Sequence, residues 1–497
     1  MKQLLTCTLL LFATCMAQAG EIVVNPGESL HHALRQAREW RRTNAPQCEG
    51  GITIRINAGR YYMNEPLFIR PEDSGTEASP LVIKGEQGAV VCGDPRQQHT
   101  QVWPRAGMER MIDFNTSNRT ITIPTPPQSV LEHNNLEMVV HQRWAIAILR
   151  VKEMNVQGNQ TIVSFMEPES RLEFEHPWPQ PVIGGERGNS SFLLRTTVQR
   201  DGVEQLVVVD GANHITFEGI TFEHTCWNRP LHKGHVTLQG GFPLVDAYKL
   251  TAHEGLPWDA GLENQAWIER PVSAISVKNA AEVCFRACHF QHLGSTALDM
   301  ESIIGGTVDR CTFEDIGGTA IMAGSFAESP REVHRPYTDL AGRCQKLTIT
   351  GNVICGASRE DWGAVAIGCG YVRDCTIVHN TVSHVNYSGI CVGWGWTPHD
   401  TGMINNRIIN NKVSDYACQL YDAGGIYTLS NQPGSVIGNN DISRPAAAPY
   451  ATNDRGFRIY LDARTDGYTL EGNLTEGRPI RRDEVGDNHP GSAVVFK

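Results

Sequence analysis

Three aspartates stand in glycine- and aromatic-rich segments of this chain: Glu360-Asp361-Trp362-Gly363, Tyr421-Asp422-Ala423-Gly424-Gly425-Ile426-Tyr427 and Ile459-Tyr460-Leu461-Asp462. Two carboxyl groups facing one bond can divide acid, base or nucleophilic work between them. For a glycosidic bond they must sit about 5–5.5 Å apart for retention or about 6.5–9.5 Å apart for inversion. Asp422 is the leading candidate, with Asp462 or Asp361 as its partner, because the two glycines after Asp422 are expected to open a concave surface. A turn aspartate bonding its own backbone is the plainer alternative for any one of them. Trp362, Trp394 and Trp396 adjoin glycines, where an aromatic face can stack on a sugar ring; core packing is the competing use. Tyr387 is a candidate lining residue, and His224 and Trp227 are placed to orient a substrate ahead of a long loop. No P-loop, dinucleotide-binding, Ser-His-Asp or HExxH pattern occurs, so neither a cofactor nor a metal is implied.

The elements that must position these residues are legible as a repeat. Asn352, Asn380, Asn411, Asn440 and Asn473 each precede a short apolar stretch, at steps of 28, 31, 29 and 33 residues, and Cys288 and Cys311 take the same slot earlier. A period of this length built from short strands and turns predicts a solenoid whose coils stack to bury their apolar faces. The repeated Asn predicts a ladder of side-chain amides. A second strand follows in each coil: Ala297-Leu298, Ala320-Ile321, Ala364-Val365, Gly389-Ile390, Gly425-Ile426 and Arg458-Ile459. Small and β-branched residues suit buried parallel strands, and no helical stripe is sustained. The expected fold is all-β, a right-handed parallel β-helix. Aligning the second strands puts Asp361, Asn386, Asp422 and, one residue looser, Asp454 in one column. With coils about 4.8 Å apart, Asp361 and Asp422 would be about 10 Å apart. Asp462 lies at the far end of its strand, about 20 Å from Asp422 along a straight path, a span that a corner at Ala423-Gly424-Gly425 would shorten.

Residues 1–19 read as a secretory signal, with Lys2, the apolar run Leu4–Cys15 and the small-residue site Ala17-Gln18-Ala19. The chain is therefore expected to be exported, to periplasm or medium, and no later segment has transmembrane length. The first coils and an N-terminal cap occupy 20–99. An amphipathic helix from Ser29 to about Arg42 covers the open end of the solenoid, with Leu30, Ala33, Leu34, Ala37 and Trp40 inward. A β-rich inserted module spans 100–205, the main β-helix 206–480 and a tail 481–497. Excursions at 226–272 and 325–345 are expected to build the site. A net charge of −11 without a basic run beyond Arg35–Arg42 argues against nucleic acid or an anionic membrane as partner. Of 14 cysteines, those beyond the signal show no metal-type pairs and read as buried thiols.

The ordered set of motifs includes Gly219-Ile220-Thr221-Phe222-Glu223-His224-Thr225-Cys226-Trp227, Gly234-His235-Val236, Glu263-Asn264-Gln265-Ala266-Trp267, Tyr387-Ser388-Gly389-Ile390 and Gly393-Trp394-Gly395-Trp396, with the three aspartate motifs. The set resembles the right-handed β-helix proteins with which gut Bacteroidetes digest plant polysaccharides. Glycoside hydrolase family 141 is the nearest named family, and the resemblance covers about 27–105 and 210–475. Here Asp462 is followed by Ala463-Arg464, where relatives carry an acidic residue and serines. The resemblance implies a glycoside hydrolase acting on a pectin side chain or xylan, with a polysaccharide or oligosaccharide as its partner, and it pairs Asp422 with Asp462. A polysaccharide lyase, which Arg373 and Arg458 keep open, and a non-catalytic glycan-binding β-helix are the alternatives.

Overall fold

In a computed structural model, alternating apolar residues at Ile52, Ile54 and Ile56 point inward, and the strand they form pairs in parallel with Gly20–Val24 on one side and Leu81–Gly85 on the other. The same pattern repeats along the molecule. The structure describes residues 19–93, 98–176, 179–198, 202–247, 250–251, 263–264, 267–328, 331–332, 343–396, 400–453, 456–488 and 491–497. The expected signal segment, apart from Ala19, and Asp454 lie outside them.

Three long sheets of 12, 11 and 12 strands run the length of the chain. One full coil is Thr348–Thr350, Val353–Cys355 and Ile367–Cys369, one strand in each sheet. Parallel pairing stacks each coil on the next, giving a right-handed parallel β-helix. Its interior holds the apolar side chains of all three sheets. Rings stack there from coil to coil: Phe290 lies 4.6 Å from Phe313 and Phe217 4.9 Å from Phe285.

The asparagine ladder occupies the corner between the first two sheets. Asn380 donates its side-chain amide to Asn411 Oδ1 at 3.0 Å, and Asn411 to Asn440 at 3.0 Å. Asn352 to Asn380 and Asn440 to Asn473 repeat the bond at 2.9 Å. Each Oδ1 also accepts the preceding asparagine's backbone N–H. The residue before each Asn has a positive φ, 57° at His379 and 56° at Asn410, which turns the chain and aims the amide inward. Cys311 takes the slot one coil earlier and donates its backbone N–H to Asn352.

The helix Leu30–Arg42 starts at Ser29, whose hydroxyl accepts from His32 N, and buries Leu30, Ala33, Leu34 and Ala37 against the first strands. Its Arg38 grips the buried Asp73 through two hydrogen bonds of 2.8 and 2.7 Å. Residues 98–198 fold apart from the coils as an antiparallel sheet, whose central strands are Leu136–His141, Ile146–Gln157 and Gln160–Phe165. The excursion after Trp227 adds a strand to that sheet, His235–Val236, paired with Ala147 and Ile148. Among the described residues the twelve cysteines form no disulfide, and no helix is long and apolar enough to cross a membrane.

Candidate active site

On the third sheet Ile426 and Ile459 point into the core, so their neighbours Tyr427 and Tyr460 project outward, paired across adjacent coils. Both are nonetheless buried. Gln239 on the excursion reaches over them and donates to the Tyr427 hydroxyl at 2.9 Å and to the Tyr387 hydroxyl at 3.4 Å. The rings of Tyr427 and Tyr460 meet edge to face at 5.3 Å.

Asp422 and Asp462 flank this pair. Tyr460 donates to Asp422 Oδ1 at 3.1 Å, and Tyr387 donates to the Asp422 carbonyl at 3.0 Å. Tyr427 donates to Asp462 Oδ2, while Asn488 donates to Oδ1 at 2.7 Å. Asp422 has a φ of 62° just ahead of the strand Ala423–Thr428, and Asp462 follows the strand Gly456–Leu461. The two carboxylates sit at opposite ends of adjacent strands, and the tyrosines reach between them. Burial raises the pKa of Tyr387, Tyr427 and Tyr460 well above the usual phenol value; Asp462 adds to the rise at all three, and Asp422 at Tyr387 and Tyr460. The phenols therefore stay protonated and act as hydrogen-bond donors to the two aspartates. The glycines after Asp422 serve packing instead of opening a concave surface. A Cβ on Gly425 would lie 2.4 Å from Ile442, and one on Gly424 would lie 3.0 Å from the Tyr460 side chain.

Asp361 belongs to a different grouping. The register pairs Ile321 with Ile367 and Ile367 with Ile390, so the second strand of this coil is Ala366-Ile367, two residues beyond the expected Ala364-Val365. Asp361 therefore leaves the column of Asn386 and Asp422. It is buried, with Oδ2 2.9 Å from His235 Nε2 and Oδ1 accepting from Gly363 N at 3.0 Å. Trp227 packs edge-on to His235 at 4.7 Å. Gly241 is required here: its φ is 79° and an added Cβ would lie 2.7 Å from Asp361 Oδ2.

The other expected residues scatter. Trp394 is 4% exposed, packed against Phe242, Phe326 and Trp396 at 5.3, 5.1 and 4.8 Å, so it offers no open face as a sugar platform. The excursion that supplies Phe242 is what covers it. Trp396 is partly buried against the same cluster, and Trp362 is partly buried near the His141 ring. Tyr387 is buried and supports the Asp422 turn. His224 lies beyond the second sheet, 3.2 Å from Glu223 and 5.4 Å ring to ring from His292, and makes no described contact with the aspartates. Cys92, Glu223 and His224 bring donor atoms within 4.8 Å of one another, but Arg60 binds Glu223 and lies 3.5 Å from Cys92 Sγ, so a guanidinium already neutralises the group. Arg373 and Arg458, which kept a lyase open, pair with Asp374 at 3.3 Å and Glu484 at 3.2 Å. Sequence reasoning missed Gln239 and Asn488 as partners of the site; neither lies in a motif. Tyr427 and Tyr460 lay inside the aspartate motifs, but no local signal marked their outward direction.

A family model described as the GH141 insertion domain matches residues 96–203. A solved Bacteroides structure titled "Glycoside hydrolase" is similar at 33% identity and a TM-score of 0.88, covering 96% of this chain and 96% of that one. XylC in complex with xylose matches at 9% identity and a TM-score of 0.37, covering 90% of this chain and 81% of its own. An alginate lyase from Paenibacillus matches at 10% and 0.40, covering 96% and 99%. At that distance neither bears on substrate or mechanism. No curated protein matches the chain. An insertion module of the GH141 type, joined to a relative one-third identical over nearly the whole of both chains, makes this protein a member of the parallel β-helix glycoside hydrolases related to family 141.

Proposed function

We propose that this glycoside hydrolase cleaves a plant cell-wall glycan, a pectin side chain or xylan, and that Asp422 and Asp462 are its catalytic carboxylates. The observation that carries the assignment is the tyrosine bridge: Tyr460 on Asp422 and Tyr427 on Asp462, with Gln239 fixing Tyr427 from above. One carboxyl protonates the leaving oxygen, and the other attacks the sugar or activates water. The phenol donors hold both side chains in fixed orientations, the supporting shell that such chemistry needs. The substrate class rests on the resemblance to family 141, and the signal-like residues 1–19 support action outside the cytoplasm. Asp422→Asn removes the proton-transferring group while keeping the Tyr460 bond. It should lower turnover on pectic or xylan oligosaccharides at least about a hundredfold, the lower scale for a positioned acid or base, with the melting temperature retained. Asp462→Asn should match that loss. Near wild-type turnover by either variant on a confirmed substrate would refute the pairing.

A further inference from the structure

Beside the Asp361–His235 pair lies a cleft of about 250 Å³ under the excursion, bounded by Trp227, Arg229, Gly241, Arg270, Thr296 and Asp361. Three residues that line it each hold a buried polar atom without a partner among the described residues: His235 Nδ1, Arg229 Nε and Thr296 Oγ1. Each has a clear local cause. His235 is committed to Asp361 through Nε2, which leaves Nδ1. Arg229 gives its terminal nitrogens to Glu269 and to the Leu244 carbonyl, which leaves Nε–H. Thr296 sits in a strand whose backbone bonds are made elsewhere. Buried polar groups are normally satisfied, and each orphan costs about 1–3 kcal/mol. Three on one cleft mark a place where an entering group completes the bonding.

The chemistry of that group follows from the walls. An imidazole nitrogen, a guanidinium N–H and a hydroxyl, each able to bond a hydroxyl group, match the alternating hydroxyls of a sugar. Charge is balanced: Arg229, Lys233 and Arg270 face Glu204, Glu269 and Asp361. Arg270 is fully engaged by Asp299 at 2.7 and 2.6 Å, so no bidentate cation is left for a carboxylate. The volume falls below the roughly 300–1,000 Å³ of drug-sized pockets, room for one ring. The turn Gln239–Gly241 links this cleft to the aspartate pair, since Gln239 bonds Tyr427 while Gly241 closes on Asp361.

We propose that this cleft is a subsite for one neutral sugar unit of the glycan, with His235, Arg229 and Thr296 as its binding residues and Asp361 as the residue that positions His235. The inference rests on the reading of the protein as one that acts on a glycan. Calorimetry and saturation-transfer NMR with D-xylose, L-arabinose, D-galactose and L-fucose, with D-galacturonate and D-glucuronate as anionic counterparts, test it directly. At least one neutral sugar should bind in preference to the uronates. Thr296→Val keeps the shape and removes the orphan hydroxyl, so its melting temperature should hold or rise while binding weakens at least about tenfold. His235→Gln gives a second variant of the same wall with the same expected loss. Asp422→Asn should bind the sugar as the wild type does. No binding by any neutral sugar, preference for a uronate, or unchanged affinity in a folded Thr296→Val would overturn the subsite. Loss of turnover in Asp422→Asn with unchanged binding in Thr296→Val would sink the subsite and leave the catalytic pair standing. The reverse pattern would sink the pair alone.

Discussion

Trp394 shows how a residue's role depends on what covers it. Its indole is held among Phe242, Phe326 and Trp396, rings contributed by both long excursions and by its own turn. Trp394→Ala should therefore destabilise the fold by about 3–5 kcal/mol, the range for truncating a buried aromatic, measured by urea unfolding. Trp394→Phe should cost less, because it keeps most of the packing and removes an indole N–H that has no described partner. Loss of sugar binding at full stability would instead make Trp394 a ligand contact. The described side chains that bond the two carboxylates are less conspicuous: Tyr460, Tyr427 and Asn488, with Gln239 bonding Tyr427.

The ladder is the device that fixes coil against coil. Asn411 accepts from the Asn380 backbone and side chain, and donates to Asn440 and to the Ile377 carbonyl. All of these atoms are buried, so no water replaces a missing partner. Asn411→Leu should cost about 1–3 kcal/mol through the amides and carbonyl it strands, seen as a lower melting temperature. An unchanged melting temperature would show that the ladder follows from the stacking without contributing to it. Cys288 and Cys311 fill the slot in the aromatic-cored coils, where Phe290 and Phe313 stack.

The module and the solenoid meet over the outer face of the third sheet, and His141 sits in the joint. Its Nε2–H donates to the Gln419 carbonyl at 2.8 Å, and its ring lies between Tyr421, Tyr450 and Trp362. Burial lowers its pKa from 6.5 to about 4. Unfolded, the ring takes a proton near its ordinary value; folded, it resists until near pH 4. Between those values the unfolded chain binds more protons, so stability falls as pH falls through that window, by about 3 kcal/mol in all. Urea midpoints from pH 7 to pH 4.5 should show this slope, and His141→Phe should flatten it. An identical slope in the variant would assign the acid sensitivity to other groups.

The repeat of Asn and Cys slots, the inward alternation of Ile52, Ile54 and Ile56, and the capping helix were legible in the sequence because each is set by local periodicity and by which side chains avoid water. The motif order also carried the family. The candidate site was only half legible. Asp422 and Asp462 stood out as acids in tyrosine-bearing motifs, but their offset along the strand argued against the pairing that resemblance suggested. Only the tertiary structure shows that outward tyrosines from neighbouring coils span that offset. The two-residue shift at Ala366-Ile367 moved Asp361 out of the expected column, since a coil's corner can lengthen without changing its strand pattern. His235, Gln239 and Phe242 reach the face of the third sheet from an excursion far away in the chain. Burial of Trp394 and the cleft at Asp361 both follow from that covering, and no local spacing encodes where a long loop lands.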